Sequence, residues 1–117
     1  DYCRFSQMLL NRGVLDGARL LKPETVDAMS RNQLPAGVNV DLYPAYKFGL
    51  GMAVAENPEL PWGFGAVGQY GWGGANGTYF GVDPKQDLIT IWMTQGRPHD
   101  HPARADFLRL ASKAVIS

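Results

Sequence analysis

The 117-residue sequence holds one cysteine, two histidines and no net charge, and each scarcity closes off a class of function. With Cys3 alone, no internal disulfide can form, and cysteine usage assigns no redox compartment. Composition and position make Cys3 a small buried side chain on a helix. Eleven Lys and Arg balance eleven Asp and Glu, leaving no overall field to gather nucleic acid or an anionic membrane. Apolar runs end after a few residues, far short of the roughly 20 that span a bilayer, and no basic-then-apolar leader opens the chain. The expectation is a soluble chain, cytoplasmic or periplasmic, with neither nucleic acid nor membrane as partner. His99 and His101 are the only imidazoles. His99-Asp100-His101 makes a poor metal site, because alternate residues of one loop seldom converge on an ion without a further ligand, and Asp100 is equally explained as a helix cap. No metal and no cofactor is implied.

What is plentiful is glycine. Fourteen Gly and eight Pro make up about a fifth of the chain against an average near 12%, and most of the glycines fall from Gly49 to Gly77. Tyr46 and Phe48 lie just before this stretch and Trp62, Phe64, Tyr70 and Trp72 within it, residues that disordered chains lack. Its glycines therefore read as backbone devices in an aromatic-rich sheet.

Tyr2, Phe5, Met8 and Leu9 recur at helical spacing behind Asp1 as N-cap, with Gly13 as the stop. Asp16-Gly17 turns a small hairpin between Val14 and Leu21. Pro23 and Glu24 open a second helix ending near Arg31 or Asn32. Tyr46 to Ala55 alternates large and small residues as one strand. Val67 to Trp72 is a further strand. Thr78 to Val82 pairs with Leu88 to Thr94 across an Asp83–Asp87 turn, and the two-sided apolar run from Leu88 to Met93 predicts the best-buried strand. A last helix follows Asp100 and Pro102, with Phe107, Leu110, Ala111, Ala114 and Val115 as its apolar stripe. The order predicts an α+β fold, an antiparallel sheet with helices packed on it, in a single domain spanning 1–117.

Gly63-Phe64-Gly65-Ala66-Val67-Gly68 has dinucleotide-fingerprint spacing, but a Pro-rich loop precedes it and no helix follows, so the pyrophosphate would meet no helix N-terminus. Asn76-Gly77-Thr78 fits a glycosylation acceptor, yet Asn-Gly is first a turn dipeptide. Ser6, Ser30, Ser112 and Ser117 are the only serines, and none lies in Gly-x-Ser-x-Gly or Ser-x-x-Lys. A complete active site is not visible. The remaining candidate is Tyr70 to Thr78, where glycines at a strand end let backbone N–H groups face a ligand, as in an oxyanion hole. A bulged hairpin with Trp72 in the core accounts for the same residues.

Gly71-Trp72-Gly73-Gly74-Ala75-Asn76-Gly77-Thr78-Tyr79-Phe80-Gly81-Val82-Asp83-Pro84, followed by the run from Asp87 to Gln95, resembles the C-terminal part of β-lactamase-related serine hydrolases, most of all family VIII carboxylesterases and class C β-lactamases. Leu20 to Val26 with Met29, and Phe48-Gly49-Leu50-Gly51-Met52, agree in order. The resemblance implies the β-lactamase/transpeptidase-like fold and acyl-enzyme chemistry on carboxylic esters or amides. Of the family's three motifs, Ser-x-x-Lys and Tyr-x-Asn have no counterpart here, since Ser112-Lys113, Tyr70-Gly71-Trp72 and Tyr43-Pro44-Ala45 do not match. The third, Lys-Thr-Gly in β-lactamases, falls on Trp72-Gly73-Gly74, which replaces the lysine and argues against efficient β-lactam hydrolysis. The resemblance makes Ala75 the donor of an oxyanion N–H, and Tyr70 and Asn76 substrate neighbours. It further implies a nucleophile-bearing N-terminal part as partner, and a sheet edge through which copies could associate. A non-catalytic binding or assembly domain with an aromatic, glycine-rich face is the alternative, as is a β-lactamase or penicillin-binding-protein-like hydrolase.

Overall fold

The computed structural model describes residues 1–38, 46–56, 67–96 and 102–115. Helix α1 (Tyr2–Leu10) begins behind Asp1, whose side chain makes no capping bond; its carbonyl accepts from the Phe5 N–H at 3.0 Å. Gly13, at φ +92°, ends the turn after α1. Its N–H reaches the Met8 carbonyl, and its own carbonyl receives the N–H groups of Leu20 and Leu21. A Cβ there would meet the Leu21 backbone, so only glycine joins helix and hairpin this closely. Strands β1 (Val14–Leu15) and β2 (Ala18–Arg19) form the expected small hairpin. Helix α2 (Pro23–Met29) stops two residues before the expected end, with Ser30 as C-cap.

The second sheet runs β3 (Tyr46–Phe48), β4 (Ala53–Ala55), β5 (Tyr70–Gly73), β6 (Tyr79–Asp83), β7 (Leu88–Trp92), antiparallel throughout. The stretch from Tyr46 to Ala55 is therefore a hairpin and not one strand. Gly51 at φ +84° turns it, the Gly49 N–H closes onto the Met52 carbonyl at 2.8 Å, and the Leu50 N–H caps the Met29 carbonyl of α2 at 3.1 Å. Folding back puts Tyr46 and Phe48 with Ala53 and Ala55 in one small cluster and sends Val54 to the main core. Alternation was real within each arm but did not run through the glycines.

The main core joins Met8 and Leu9 of α1, Val26 of α2, and Met52, Val54, Tyr70, Phe80 and Val82 of the sheet side. Strand β6 is buried at every residue, whereas β7, expected to be the best covered, is mostly half-buried. Being flanked by α1 and by helix α3 (Pro102–Ala114) does not bury β7, because it ends the sheet among the described strands. The Asp83 carboxylate, 1% exposed, accepts the N–H groups of Lys85 and Gln86 and sets the β6–β7 turn.

Helix α3 packs on a different stripe from the one its apolar residues predicted. Leu108 is buried and Arg104, Phe107 and Ala111 are half-buried, while Leu110 and Val115 are exposed. Contacts with polar members choose that face: Phe107 lies against Trp92 at 5.4 Å, and the Ser112 hydroxyl donates to Gln86. Cys3 is exposed on α1, not buried, since Met8 and Leu9 take the core side.

Candidate active site

Strand β5 carries Trp72 and Gly73 into a turn that begins at Gly74. The Gly74 N–H donates to the Thr78 carbonyl at 2.8 Å, and the Gly77 N–H to the Gly74 carbonyl at 3.0 Å. Gly77 has φ +89°, and a Cβ on Gly74 would run into the Thr78 hydroxyl. Both glycines are thus required by the turn. It is also braced from outside, by the Thr94 hydroxyl on the Gly77 carbonyl at 3.2 Å and the Gly96 N–H on the Asn76 carbonyl at 3.0 Å.

Alternation of the ladder tells which way each peptide group points. The Gln69 carbonyl accepts from Ala55 on the β4 side, and the Gly74 N–H donates on the β6 side. Gly71 and Gly73 therefore face β4, and Tyr70 and Trp72 face β6. Pairing with β4 stops at Ala53 opposite Gly71, where the chain turns away through Met52 and Gly51. Among the described residues the Gly73 peptide groups are therefore on an open edge. The exposed Ala75 N–H, in the turn just beyond, donates to no acceptor among the described residues.

Beside this edge lies a cleft of ≈ 190 Å³, lined by Trp72, Gly73, Gly74 and Thr78 together with Tyr2, Tyr79, Phe80 and Met93. The Trp72 ring is 42% exposed and meets Phe48 edge-on at 5.0 Å. Behind the edge, the Arg104 guanidinium approaches within 3.7 Å of where a Cβ on Gly73 would stand and lies 5.9 Å from the centre of the Tyr79 ring. Burial pushes the Tyr79 phenol well above its ordinary value, nearby Tyr46 adds to this, and Arg104 opposes it.

Of the residues singled out from sequence, Trp72, Gly73 and Gly74 line the cleft, and Ala75 and Asn76 lie on the exposed turn beside it. Tyr70 does not reach it. That side chain is 2% exposed in the main core, and burial, with Asp27 contributing, pushes its phenol up to about 12. Ser6 is buried in α1, Ser30 donates to the Val26 carbonyl and Ser112 to Gln86, so none of the three is held beside a base. Trp62, Phe64, the Gly63–Ala66 part of the fingerprint-like run, Tyr43, His99, Asp100, His101 and Ser117 lie outside the described residues. Among the described residues no cluster of His, Cys, Asp and Glu could hold a metal ion, and no helix is long and apolar enough to cross a membrane.

The family model for beta-lactamase matches residues 1–114. This chain belongs to the beta-lactamase family. Protein Rv1367c of Mycobacterium tuberculosis is 35% identical over 107 residues, covering 84% of this chain and 27% of that relative. An uncharacterized protein, MT1414, of another strain of the species matches to the same extent. The chain thus spans 27% of the length of the curated relatives it matches. Among solved structures, a LovD6 mutant of simvastatin synthase from Aspergillus terreus superposes with TM-score 0.75 at 27% identity, over 97% of this chain and 31% of that one. EstCE1, described as a hydrolase with promiscuous acyltransferase activity, gives 0.69 at 23%, over 92% and 27%, a likeness of fold. The fold is the α+β, antiparallel-sheet arrangement of the β-lactamase/transpeptidase-like proteins.

Sequence reasoning missed Tyr2, Tyr79, Phe80 and Met93, which complete the cleft, and the Arg104 behind Gly73. The apolar four read as core, and only the register of β5 on β6 and the seating of α1 and α3 bring them and Arg104 to the glycine turn.

Proposed function

We propose that this chain supplies the Trp-Gly-Gly wall and one oxyanion donor, the Ala75 N–H, to a serine ester hydrolase whose nucleophile lies outside these 117 residues. The observation that carries the reading is the end of β5: outward peptide groups and, on the braced turn that follows, an N–H, none with a partner among the described residues, beside an apolar cleft. A serine oxygen adds to the ester carbonyl and the charge moves to the carbonyl oxygen. A donor already fixed in place stabilises that charge without reorganising, and removal of one such donor costs about 3 kcal/mol in transition-state stabilisation. The alcohol departs, and water releases the acid from the acyl-serine. Trp72 in place of the lysine of Lys-Thr-Gly supports esters over β-lactams, since it offers no cation to a β-lactam carboxylate.

The test uses the full-length protein with p-nitrophenyl butyrate. A burst of p-nitrophenol and a serine carrying the acyl group by mass spectrometry are expected, while the 117-residue chain alone turns over little or nothing. Robust turnover by the isolated chain that survives alanine at Ser6, Ser30, Ser112 and Ser117 sinks the proposal.

A further inference from the structure

The cleft beside the glycine turn measures ≈ 190 Å³, below the roughly 300–1,000 Å³ of a site that encloses a whole ligand. It has room for one arm of an ester. Its lining selects the kind of arm. Trp72 and Phe80 stand opposite each other in the β5–β6 register, and Tyr2 of α1 packs on Phe80 with ring centres 5.4 Å apart. Each of these rings is also held from outside the cleft: Phe48 meets Trp72 edge-on at 5.0 Å, and Phe5 lies 6.4 Å from Tyr2 and 5.9 Å from Phe80. The walls are thus fixed before any ligand arrives. Met93 adds an exposed thioether, and Gly73 and Gly74 present backbone without side chains. Among the described residues no charged side chain lines the space. Aromatic rings meet edge-to-face or offset with a gain beyond the area they bury, and a thioether at a ring edge adds to it. An alkyl group of the same size collects the buried area alone.

We propose that the cleft takes a phenyl group carried on the acyl arm of the ester, with Tyr2, Trp72 and Phe80 as its walls and Met93 at the ring edge. These residues then make the enzyme select arylacetic over alkanoic esters of equal size. The proposal deepens the ester-hydrolase reading and rests on it for the ester. The acyl side follows from the order of bond breaking. The serine oxygen bonds to the carbonyl carbon, the bond from that carbon to the alcohol oxygen breaks, and the alcohol leaves with the serine's proton. Water then enters where the alcohol stood, so that side has to stay open to solvent. The acyl group remains on the serine through both steps, and an uncharged recess beside the Ala75 N–H suits the arm that stays.

The test compares methyl phenylacetate, methyl cyclohexylacetate and benzyl acetate on the full-length protein, with each kcat/KM divided by that ester's own hydroxide rate constant. The phenylacetate is expected to exceed the cyclohexylacetate by about tenfold, the order of magnitude that added ring contacts supply. It should exceed benzyl acetate, which carries the ring on the alcohol, by as much. A ratio at or below one against the cyclohexylacetate overturns the inference, and faster benzyl acetate overturns it in favour of the alcohol arm. Tyr2 is exposed and can be changed without opening the core. Tyr2→Leu should lower the phenyl-to-cyclohexyl ratio several-fold, and Tyr2→Phe should keep it. General damage to the fold slows both esters together and leaves their ratio in place, so an unchanged ratio in Tyr2→Leu overturns the assignment of the walls. Turnover without a phenyl preference defeats this inference and leaves the hydrolase intact. If no ester acylates a serine, the hydrolase reading falls, and binding of phenylacetamide and cyclohexylacetamide, followed by tryptophan fluorescence, decides the cleft by itself: tighter phenyl binding that Tyr2→Leu weakens sustains it, and equal binding overturns it.

Discussion

Two glycine hairpins of this chain use the same materials to opposite ends. The β3–β4 tip is tied to the rest of the chain: Gly49 N–H donates to the Met52 carbonyl, Leu50 N–H to the Met29 carbonyl at the end of α2, and the Phe48 carbonyl accepts from the Gln33 N–H. At the β5–β6 tip the turn is closed and braced, yet the Ala75 N–H and the outward side of Gly73 have no partner among the described residues. An exposed N–H is satisfied by water until another acceptor displaces it, so the braced turn that presents Ala75 at the surface suits the oxyanion role proposed above. The first hairpin is a fastening, the second a face.

The sharpest way to break that contrast is to remove the N–H without disturbing the turn. Ala75 is the second residue of a turn closed from Gly77 to Gly74, the position that proline favours. Ala75→Pro in the full-length protein should therefore keep the melting midpoint and lower kcat by about 100-fold or more, with Ala75→Gly near wild type. An unchanged kcat means that the N–H on this face is not used. At the fastening hairpin the effect should fall on stability instead. A Cβ on Gly49 would collide with the Met29 carbonyl, a backbone atom that cannot swing away. Gly49→Ala should cost about 2 kcal/mol or more in urea unfolding. Gly96→Ala, where a Cβ meets open space, should cost little, and equal loss at both positions removes the distinction.

Why the second hairpin was legible and the first was not comes down to which signal each carries. Asn76-Gly77 is a turn dipeptide, so the turn after β5 could be read directly, as could the pairing of β6 with β7 across the Asp83–Asp87 turn. At Tyr46 to Ala55 the large–small alternation continued across Gly49 and Gly51, and nothing local announces that Gly51 takes a positive φ or that α2 offers a carbonyl to Leu50. The family resemblance singled out Trp72, Gly73, Gly74 and Ala75, of which the first three line the cleft and Ala75 lies on the turn beside it. It failed for Tyr70, which reads as a strand-end aromatic and lies in the core because its partners Val54 and Val82 are core positions. It failed likewise for Tyr2 and Met93, which are distant in sequence and meet only across the packed layers.

Strand β5 belongs to both regions, and its Tyr70 gives a pH test of the side that fastens. Burial holds the folded phenol up to about 12 against an unfolded value near 10. Tyr79 is shifted in the same direction. Below pH 10 both states keep their protons and the full stability is present. Between 10 and 12 the unfolded chain ionises first, and stability falls as pH rises, by up to about 2 kcal/mol for Tyr70 alone. Urea midpoints measured at pH 9 and pH 11 should show that loss, and Tyr70→Phe should reduce it. A midpoint insensitive to pH over that interval would place the phenol in water and undo the core assignment.

The smallest expected effect probes the bracing of the face itself. The Thr94 hydroxyl on the Gly77 carbonyl is a single neutral hydrogen bond, half-buried, from the segment after β7. Thr94→Val keeps the shape and removes the donor to a carbonyl on a buried residue, so the stability cost should be about 1 kcal/mol. If the turn is held for catalysis, kcat on p-nitrophenyl butyrate should fall several-fold with KM little changed, because the oxyanion donor loses its fixed position only where charge develops. Thr94→Ser, which restores the hydroxyl, should recover the rate. A KM effect with kcat preserved would instead assign Thr94 to substrate binding, and would make the turn part of the cleft wall and not a donor mount.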